Sequence, residues 1–347
     1  MRIGLDATYS LGKSLSGVGV YSREILFGLA DAHRDHKFAF YYRPHRIVRS
    51  FSDTLPPNAR RRLLHGTPRV DIYHALNQRV EKKARRTVTT FHDLFVMTAE
   101  YSSPEFRARF TNQARRAADL SDAVIAVSEF TAGQVEQLLG VARSRIHVVP
   151  HGVRMPEANS DVLPSGRDTR EKMVLFVGAI QRRKNIARLV KAFERMPAGW
   201  RLVLAGAVDG YGAVEELRSI EESSRCADIE VTGYVSADAL LQLFRRASIF
   251  AFPSLDEGFG LPVLEAMANG VPVVTSNSSA LPEVAGDAAV CVDPHSIDEI
   301  ADALRSMAVD ESSRQEFARR GQARAKEFLW ERALTKTWAI YERLTSV

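Results

Sequence analysis

The chain has 347 residues, which at ~150 residues per domain suggests about two domains. Its residues are 45% hydrophobic and 26% charged, ordinary values that exclude collagen-like and disordered classes. No run approaches the ~18 to 20 consecutive apolar residues that cross a bilayer, and the first residues are too short an apolar stretch for a signal peptide. We expect a first β-strand there instead.

The number of cysteines indicates the redox environment of the protein and limits the metal sites that it could form. Only Cys226 and Cys291 occur, so a disulfide scaffold is excluded and no cysteine-ligated zinc site is expected. We therefore expect a reducing, cytoplasmic location.

The net charge of +5 hides an asymmetry between the two halves. Residues 1–170 carry 26 Lys and Arg against 17 Asp and Glu, or +9, whereas the remainder carries 21 against 25, or −4. A basic first half suits an anionic partner such as nucleic acid, a membrane face or a phosphorylated substrate. A solubilising surface is the alternative interpretation. The densest basic positions are Arg43, Arg46, Arg49, Arg60, Arg61, Arg62, Lys82, Lys83, Arg85 and Arg86.

Strand-length apolar runs alternate with amphipathic stretches in the first half. Strands are predicted at 2–7, 37–42, 70–74, 87–91, 123–127 and 146–149, and helices at 20–32, 103–120 and 129–139. This βα alternation is typical of a parallel sheet covered on both faces.

Residues 156–170 (PEANSDVLPSGRDTR) have no apolar period and indicate a linker. The pattern then restarts, with strands at 173–178, 201–205, 229–232, 248–252, 271–275 and 288–292, helices at 185–196 and 213–223, and a helical end from about 297 that breaks near 328–330. Two α/β halves predict a cleft, with ligands beyond the carboxyl ends of strands.

The stretch 252–270 (FPSLDEGFGLPVLEAMANG) follows a predicted strand and enters a short helix. Pro262 suits the first helical position, and Leu261 before it has no side-chain oxygen to cap the helix. The backbone amides from Gly258 to Val263 then have no partner in the local sequence, so they predict an anion site. Gly258 and Gly260 would let a ligand approach the backbone closely.

Two acids belong to this unit, Glu257 on the loop and Glu265 near the first helical turn, with seven residues between them. A carboxylate accepts two hydroxyls at once, so one acid could hold a sugar and the other a ribose. The alternatives are that Glu265 only complements the helix dipole and that Glu257 is a surface residue.

A second anion-seeking element is the turn 179–185, which also enters a helix. Arg182, Arg183 and Lys184 crowd three cations at a helix N-terminus, an unfavourable placement unless an anion such as phosphate binds there. Three solvated charges are the alternative interpretation.

Two further segments follow strands of the first half. The loop GVGVYS, with Gly17 and Gly19, is an incomplete dinucleotide fingerprint and fits either a close approach to a ligand or a plain helix entry. His92 and Asp93 follow a strand and could supply acid/base chemistry or only hydrogen bonds. His151 precedes the linker, where a hinge role is at least as well supported.

Several motifs are missing from the sequence. There is no Asp-x-Asp to clamp a divalent ion on a nucleotide sugar, no GxxxxGK[ST] loop, no Gly-x-Ser-x-Gly elbow and no His-Glu-x-x-His. We therefore expect no bound metal and no cofactor.

With these pieces in order, the chain resembles the retaining glycosyltransferases of family 4, and within them the bacterial polysaccharide mannosyltransferases. The most specific part is EGFGLPVLE, from Glu257 to Glu265, which matches the family's E-x7-E motif and is followed by AMANGVP. Supporting matches are GVG at 17–19, FHDL at 91–94, VSEF at 127–130, VPHG at 149–152, RKN at 183–185, LPEVAGDAA at 281–289 and FLWE at 328–331.

The resemblance implies an α/β GT-B fold, in which two Rossmann-like domains with parallel sheets face each other across a cleft and the C-terminal helix crosses back to the N-terminal domain. It assigns residues 1–155 and 329–347 to an acceptor-binding domain, 156–170 to the linker and 171–328 to a nucleotide-sugar donor domain.

The resemblance also implies roles for individual residues. Glu265 would bind the donor ribose, Glu257 would lie near the hydroxyls of the transferred sugar, and Lys184 with a neighbouring arginine would neutralise the leaving diphosphate in place of a metal. Because Ala179 stands where many relatives have arginine after Gly178, that neighbour is Arg183 or Arg182. Residues implied to lie close to the donor are His92, Gly17, Gly19, Gly178, Gly258, Phe259, Gly260, Leu261 and Pro262.

The function expected from this resemblance is metal-independent, retaining transfer of a hexose, with GDP-mannose favoured, to a glycan or lipid-linked acceptor in polysaccharide or lipopolysaccharide synthesis. UDP-glucose or another UDP-hexose remains an alternative donor, and contact with the anionic inner face of the plasma membrane is left open. Two other classes are weighed: a nicotinamide oxidoreductase, disfavoured by the incomplete glycine loop, and a non-catalytic protein that binds sugar or nucleic acid. Aromatic residues for base stacking are sparse, so no nucleic-acid partner is expected.

Overall fold

A computed structural model describes residues 1–12, 15–156 and 170–346. The chain divides into two compact units, Met1–Gly152 with Trp330–Val347, and Val153–Leu329. Except for its two end residues, the predicted linker 156–170 lies outside the described residues. The first unit ends three residues before the predicted domain limit of 155 and resumes one residue after the predicted 329.

The first unit is built on a seven-stranded parallel sheet with helices in its connections. Its elements up to the second unit are β1 (Arg2–Asp6), α1 (Gly17–Ala32), β2 (Lys37–Tyr42), α2 (Pro44–Ile47), β3 (Ala59–Leu63), β4 (Ile72–Ala75), β5 (Thr87–Phe91), α3 (Phe95–Thr98), α4 (Pro104–Leu120), β6 (Ala123–Ala126), α5 (Glu129–Leu139) and β7 (Ile146–Val148). The strand order is β3-β2-β1-β4-β5-β6-β7. Every residue of β4, β5 and β6 is buried, as expected for central strands covered on both faces.

The second unit is built on a six-stranded parallel sheet. Its elements are β8 (Glu171–Val177), α6 (Ile186–Phe193), β9 (Arg201–Ala205), α7 (Ala213–Glu221), β10 (Ile229–Gly233), α8 (Ala237–Arg246), β11 (Ala247–Phe252), α9 (Leu261–Ala268), β12 (Val273–Ser276), α10 (Leu281–Ala285), β13 (Val290–Val292), α11 (Ile297–Val309) and α12 (Glu311–Ala325). The strand order is β10-β9-β8-β11-β12-β13. Every residue of the central strand β11 is buried, so this strand lies in the core of the unit.

The last helix, α13 (Trp330–Thr345), belongs to the first unit, as predicted. Trp330, Trp338 and Tyr341 pack in the same hydrophobic core as the residues of β1 and α1. Nδ1 of His74 in β4 lies 2.6 Å from the Tyr341 hydroxyl, and its Nε2 lies 2.8 Å from Oγ1 of Thr90 in β5. A buried polar chain thereby joins the C-terminal helix to two central strands.

Strand β3 and helix α8 are among the elements that the sequence-based prediction missed. Strand β3 has the sequence ARRRL, and its arginines give no apolar alternation, yet it pairs with β2 over five residues at the edge of the sheet. The arginine-dense stretch Arg60 to Arg62 is therefore an edge strand, where exposed charges discourage further strand pairing. Helix α8 also has no counterpart among the predicted elements, although Ser236 caps it through a hydrogen bond to the Ala239 amide.

Within the described ranges, no helix combines the length and the apolar character needed to cross a membrane. Both cysteines are exposed and free.

Candidate active site

A carboxylate and two cations form the centre of the candidate site in the second unit. The turn after β8 contains a 3-10 helix, Arg182–Lys184, whose last two residues are only 7% exposed. Oε1 of Glu257 lies 2.7 Å from Nη1 of Arg183 and 2.6 Å from Nζ of Lys184. Arg182, by contrast, is exposed, so Arg183 is the arginine that joins Lys184 here.

Glu257 is an internal counter-ion for this turn, so the placement of its cations does not by itself require an external anion, and the predicted contact with phosphate stays a prediction. The interpretation of Glu257 as a surface residue is also wrong, since it is only 9% exposed. Burial opposes ionisation, but Arg183 and then Lys184 outweigh it and hold the pKa of Glu257 at about 2. The carboxylate is therefore ionised at neutral pH.

Two serines fix Glu257 in place. The Ser254 hydroxyl donates to its Oε1 over 2.6 Å, and the Ser279 hydroxyl accepts its backbone N–H over 3.1 Å. Ser279 has a φ of 57°, and Asn185, which ends the cationic turn, has a φ of 63°. Non-glycine residues with positive φ are uncommon and concentrate where the surroundings impose them, often at functional sites.

The second acid, Glu265, has a different environment. It is half-buried on α9, and among the described residues none donates a hydrogen bond or forms an ion pair with its carboxylate. Burial raises its pKa to about 7. The two acids of the E-x7-E motif therefore differ strongly in charge near neutral pH, Glu257 being fixed as an anion and Glu265 being near its midpoint.

The N-terminus of α9 differs from the prediction by one residue. The helix begins at Leu261 rather than at Pro262, and its N-cap is Gly260, with a φ of 114° that favours glycine. Since Gly260 has no side chain, no side-chain oxygen caps the helix from that position. The expectation that all amides from Gly258 to Val263 lack partners is wrong, because the Val263 N–H donates to the Gly260 carbonyl over 3.0 Å.

The N-terminus of α6, next to the cationic turn, is already occupied. Oε2 of Glu216 from α7 accepts the Ala187 N–H over 2.7 Å, and Glu216 is 6% exposed. The predicted conflict between the cations and the helix dipole is therefore relieved by this internal carboxylate, which the sequence analysis missed. An acid at a helix N-terminus is favourable, but nothing in the sequence links Glu216 to a helix 29 residues earlier.

Gly178 lies at the start of the same turn and is held against a neighbouring loop. The Gly178 N–H donates to the Ala205 carbonyl over 2.9 Å. A Cβ added at Gly206 would lie 2.0 Å from the carbonyl oxygen of Gly178. Two backbones meet here at a distance that only glycine allows at position 206.

Three predicted site residues belong to the first unit. Nε2 of His92 lies 2.9 Å from the Leu76 carbonyl, so it carries the proton, and Nδ1 then accepts from Nε2 of His151 at 3.3 Å. Burial lowers the pKa of His92 to about 4. His92 is therefore neutral at pH 7 with both ring nitrogens engaged, and its predicted place beside the sugar stays a prediction.

Gly17 and Gly19 lie in the first turn of α1, whose N-cap is Ser16. The Ser16 hydroxyl accepts the Gly19 N–H at 3.4 Å. A helix entry is thus present at these glycines, and their approach to the donor also stays a prediction. Among the described residues, no group of three or more His, Cys, Asp or Glu side chains could hold a metal ion.

Comparison with known proteins identifies the family. The family model described as "Glycosyltransferase Family 4" matches residues 15–155, and the model described as "Glycosyl transferases group 1" matches residues 161–324. The chain is 31% identical to the O-antigen chain mannosyltransferase B of Escherichia coli over 97% of its own length and 99% of that protein. The chain belongs to glycosyltransferase family 4. The predicted family is confirmed, and with it an enzyme that transfers a sugar.

Solved structures establish the fold of this family 4 enzyme. Sucrose-phosphate synthase from Thermosynechococcus elongatus matches with a TM-score of 0.78 at 20% identity, covering 100% of this chain and 99% of that chain. Anabaena Alr3699/HepE in complex with UDP and glucose matches with a TM-score of 0.71 at 18% identity, covering 100% and 99%. The predicted GT-B fold of Rossmann-like domains is therefore confirmed.

Proposed function

We propose that this family 4 enzyme transfers mannose from GDP-mannose to a glycan or lipid-linked acceptor, with retention of anomeric configuration, in the synthesis of a cell-surface polysaccharide. The relative that matches over nearly its whole length is named an O-antigen chain mannosyltransferase, which supports mannose and a polysaccharide product. A structural neighbour crystallised with UDP and glucose keeps UDP-glucose as the alternative donor.

The observation that carries the proposal is the pairing of two buried cations with one ionised carboxylate, in the same unit as a half-buried acid whose carboxylate has no partner among the described residues. Arg183 and Lys184 supply positive charge for a leaving diphosphate, and Glu257 keeps them in position. Glu265 offers an unused carboxylate that can accept two hydroxyls, as a ribose presents them.

In the proposed reaction, the bond between the anomeric carbon and the diphosphate oxygen breaks, and its electron pair stays on the diphosphate. The acceptor hydroxyl attacks from the same face, and its proton passes to the leaving phosphate oxygen. Cations and amides aimed at the developing charge stabilise the transition state, and removing one such group typically costs about 10²–10³ in turnover. Donor contacts are assigned to Arg183 and Lys184 and to the backbone from Gly258 to Pro262.

Metal independence is part of the proposal, because Arg183 and Lys184 take the place of a divalent ion and the sequence has no Asp-x-Asp. The test is a thermal-shift panel of GDP-mannose, UDP-glucose, other nucleotide hexoses, GDP and UDP, each with EDTA. A ligand at 100 times its Kd stabilises the folded state by about 2.7 kcal/mol, so the correct base should stand out. A rise in melting temperature that needs added magnesium would contradict metal independence. A larger rise with uridine nucleotides than with guanosine nucleotides would contradict the assignment of GDP-mannose as donor.

The anomeric configuration of the product tests whether the transfer proceeds with retention. With GDP-mannose and an isolated acceptor, the anomeric proton and carbon signals of the product should be those of an α-linkage. A β-linked product would exclude retention.

We also propose that the first unit docks on the anionic inner face of the plasma membrane. Val48, Phe51 and Leu63 are 77%, 69% and 44% exposed, and the Arg61 guanidinium stacks on the Phe51 ring at 5.1 Å. Exposed cations flank this apolar patch at Arg49, Arg60 and Arg62. Apolar side chains with a basic rim suit a surface of acidic lipids.

A further inference from the structure

A cavity of about 340 Å³ lies within the first unit, at the carboxyl ends of three neighbouring strands. Thr8 follows β1, Arg43 directly follows β2, and Arg79 follows β4. In the sheet order β3-β2-β1-β4-β5, successive strands are added on one side of β1 up to β3 and on its other side from β4 onward, so the strand order reverses between β1 and β4 and this edge is a topological switch point. Ligands of open α/β sheets bind at such points. We call this cavity the Arg43 pocket.

The Arg43 pocket is strongly basic. Arg43, Arg46 and Arg79 line it together with His45. The Arg46 side chain makes no ion pair or hydrogen bond with any described residue. The acid nearest to the other two arginines is Glu81, whose Oε1 lies 3.4 Å from Nη1 of Arg43 and 3.1 Å from Nη2 of Arg79, and which is 59% exposed.

Arg43 itself is buried with unused donors. It is 5% exposed, and its Nε and Nη2 have no hydrogen-bond acceptor among the described residues. The Asp6 carboxylate is 4.0 Å from Nη2, beyond hydrogen-bond distance, and its other oxygen accepts the Thr8 N–H over 2.9 Å. Buried charged donors almost always have partners, and leaving one unpaired is costly. The edge of the Arg43 guanidinium formed by Nε and Nη2 therefore has no acceptor among the described residues, and a bound anion would supply one.

We propose that the Arg43 pocket binds a phosphate group carried by the sugar acceptor. Three guanidinium groups match a phosphate dianion better than a single carboxylate, and the Arg43 fork can donate two parallel hydrogen bonds to it. A water molecule occupies about 30 Å³ of liquid, so the cavity has room for a phosphate and part of the group esterified to it.

The role in acceptor binding rests on the proposed function, whereas phosphate binding by the pocket does not. None of the lining residues is among those assigned to the donor. The phosphate could come from a free sugar phosphate or from a lipid-linked diphosphate, and both present the same chemistry to Arg43.

The test measures binding by calorimetry at low salt, with inorganic phosphate, a hexose phosphate and glucuronate as probes and without any donor. Vesicles with and without a lipid-linked diphosphate form a separate arm. Variants are Arg43→Gln, Arg46→Gln and the matched control Arg85→Gln, which removes an exposed charge 3.8 Å from Asp71. Far-ultraviolet circular dichroism checks the fold of each variant.

We expect saturable binding of the hexose phosphate that GDP does not displace. Arg43→Gln should weaken it at least about tenfold, Arg46→Gln severalfold, and Arg85→Gln hardly at all, since hydrogen bonds to charged groups are among the strong ones. If Arg43→Gln does not fold, the comparison of Arg46→Gln with Arg85→Gln decides. With vesicles, Arg43-dependent binding only when the lipid diphosphate is present assigns the lipid source; equal binding of the free hexose phosphate assigns the soluble one.

Three results would overturn the proposal: no saturable phosphate binding, tighter binding of glucuronate than of the hexose phosphate, or equal losses in Arg46→Gln and Arg85→Gln. The proposed function fails separately, if Glu265→Ala retains sugar transfer. In a transfer assay with a phosphorylated acceptor, Arg43→Gln should raise the acceptor KM and leave the donor KM unchanged.

Discussion

Nζ of Lys184 lies 2.6 Å from Oε1 of Glu257, 73 residues further along the chain. The same oxygen also lies 2.7 Å from Nη1 of Arg183 and accepts from Ser254, so one carboxylate oxygen holds both buried cations of the turn. Its removal would leave two buried cations without their counter-ion.

Replacing Glu257 should therefore affect stability as well as activity. Breaking a buried ion pair by removing one partner typically costs about 3–5 kcal/mol, so Glu257→Gln should lower the free energy of unfolding at pH 7 by about that much. Because the folded pKa is about 2 against an ordinary value of 4.5, this stabilisation is present above pH 4.5 and is lost as the pH falls towards 2. Urea unfolding at pH 7 and pH 3 measures the difference between wild type and variant, which should narrow at the lower pH.

Glu316 provides the matched control for this experiment. Arg319 and Arg320 lower the pKa of Glu316 to about 2 as well, but all three side chains are on the surface. Exposed ion pairs contribute little, so Glu316→Gln should leave stability nearly unchanged. Equal stability of Glu257→Gln and wild type would refute the counter-ion role.

Activity should depend on Glu265 more than stability does. Glu265→Ala removes the carboxylate proposed to hold two hydroxyls of the donor ribose, and because a hydrogen bond to a charged group contributes about 1.5–3 kcal/mol, we expect kcat/KM for the donor to fall at least about 10²-fold. A radiolabelled-donor assay measures transfer, and thermal unfolding confirms that the variant is folded. Glu221→Ala, which changes an exposed acid on α7, serves as the control. Full activity of Glu265→Ala would refute the assignment of Glu265 to donor binding.

The raised pKa of Glu265 predicts an opposite pH effect on stability. Burial raises the pKa from 4.5 to about 7, so the folded state binds the proton more tightly than the unfolded state does. Stability then falls as the pH rises from 4.5 to 7 and stays lower above it, by up to about 3 kcal/mol, since each pKa unit corresponds to about 1.4 kcal/mol. Glu265→Gln cannot ionise, so its melting temperature should exceed that of wild type at pH 8 but not at pH 4.5. The same difference at both values would show that ionisation is not the cause.

Membrane docking should depend on the apolar patch at Val48 and Phe51. The double variant Val48→Ser with Phe51→Ser removes two exposed apolar side chains and should reduce flotation with acidic vesicles severalfold. Val309→Ser, which changes a residue 76% exposed in the second unit, is the control and should float like wild type. Flotation that survives both changes, or that fails for wild type at low salt, would exclude this docking surface.

The buried contact of His74 with Tyr341 predicts how firmly α13 is held. Tyr341→Phe deletes the hydroxyl and leaves a ring nitrogen of a fully buried histidine without its partner, at a typical cost of about 1–3 kcal/mol. Chemical denaturation measures the loss. Tyr211→Phe, at a tyrosine 45% exposed, should cost much less. If both variants lose the same free energy, the buried hydrogen bond does not stabilise the helix.

Most of the fold follows from the sequence because parallel strands buried on both faces are short apolar runs. Strands β2, β5 and β9 have the predicted bounds, and the restart of the pattern after 170 places the second sheet. Strand β3 could not be predicted in this way, because an edge strand of arginines has no apolar face. Its pairing is determined by the neighbouring β2 and not by its own composition.

The candidate site was predictable as a set of residues but not as an arrangement. The spacing of Glu257 and Glu265 and the basic turn are visible in the sequence. The pairing of Glu257 with Arg183 and the capping of α6 by Glu216 depend on contacts between segments 29 to 74 residues apart, which local spacing does not specify. Sequence reasoning therefore treated as ligand-seeking two elements whose charges are partly satisfied within the protein.

The position of α13 has a consequence for biosynthesis. The ribosome releases Trp330, Trp338 and Tyr341 after all of the second unit, although their rings pack in the core that contains residues of β1 and α1. The two ends of the second unit, Val153–Leu329, are joined to each other, since the Val153 N–H donates to the Phe328 carbonyl over 2.7 Å. The core of the first unit is thus completed only after the second unit has been translated, and a nascent chain stalled before residue 330 would have a complete second unit and an incomplete first unit.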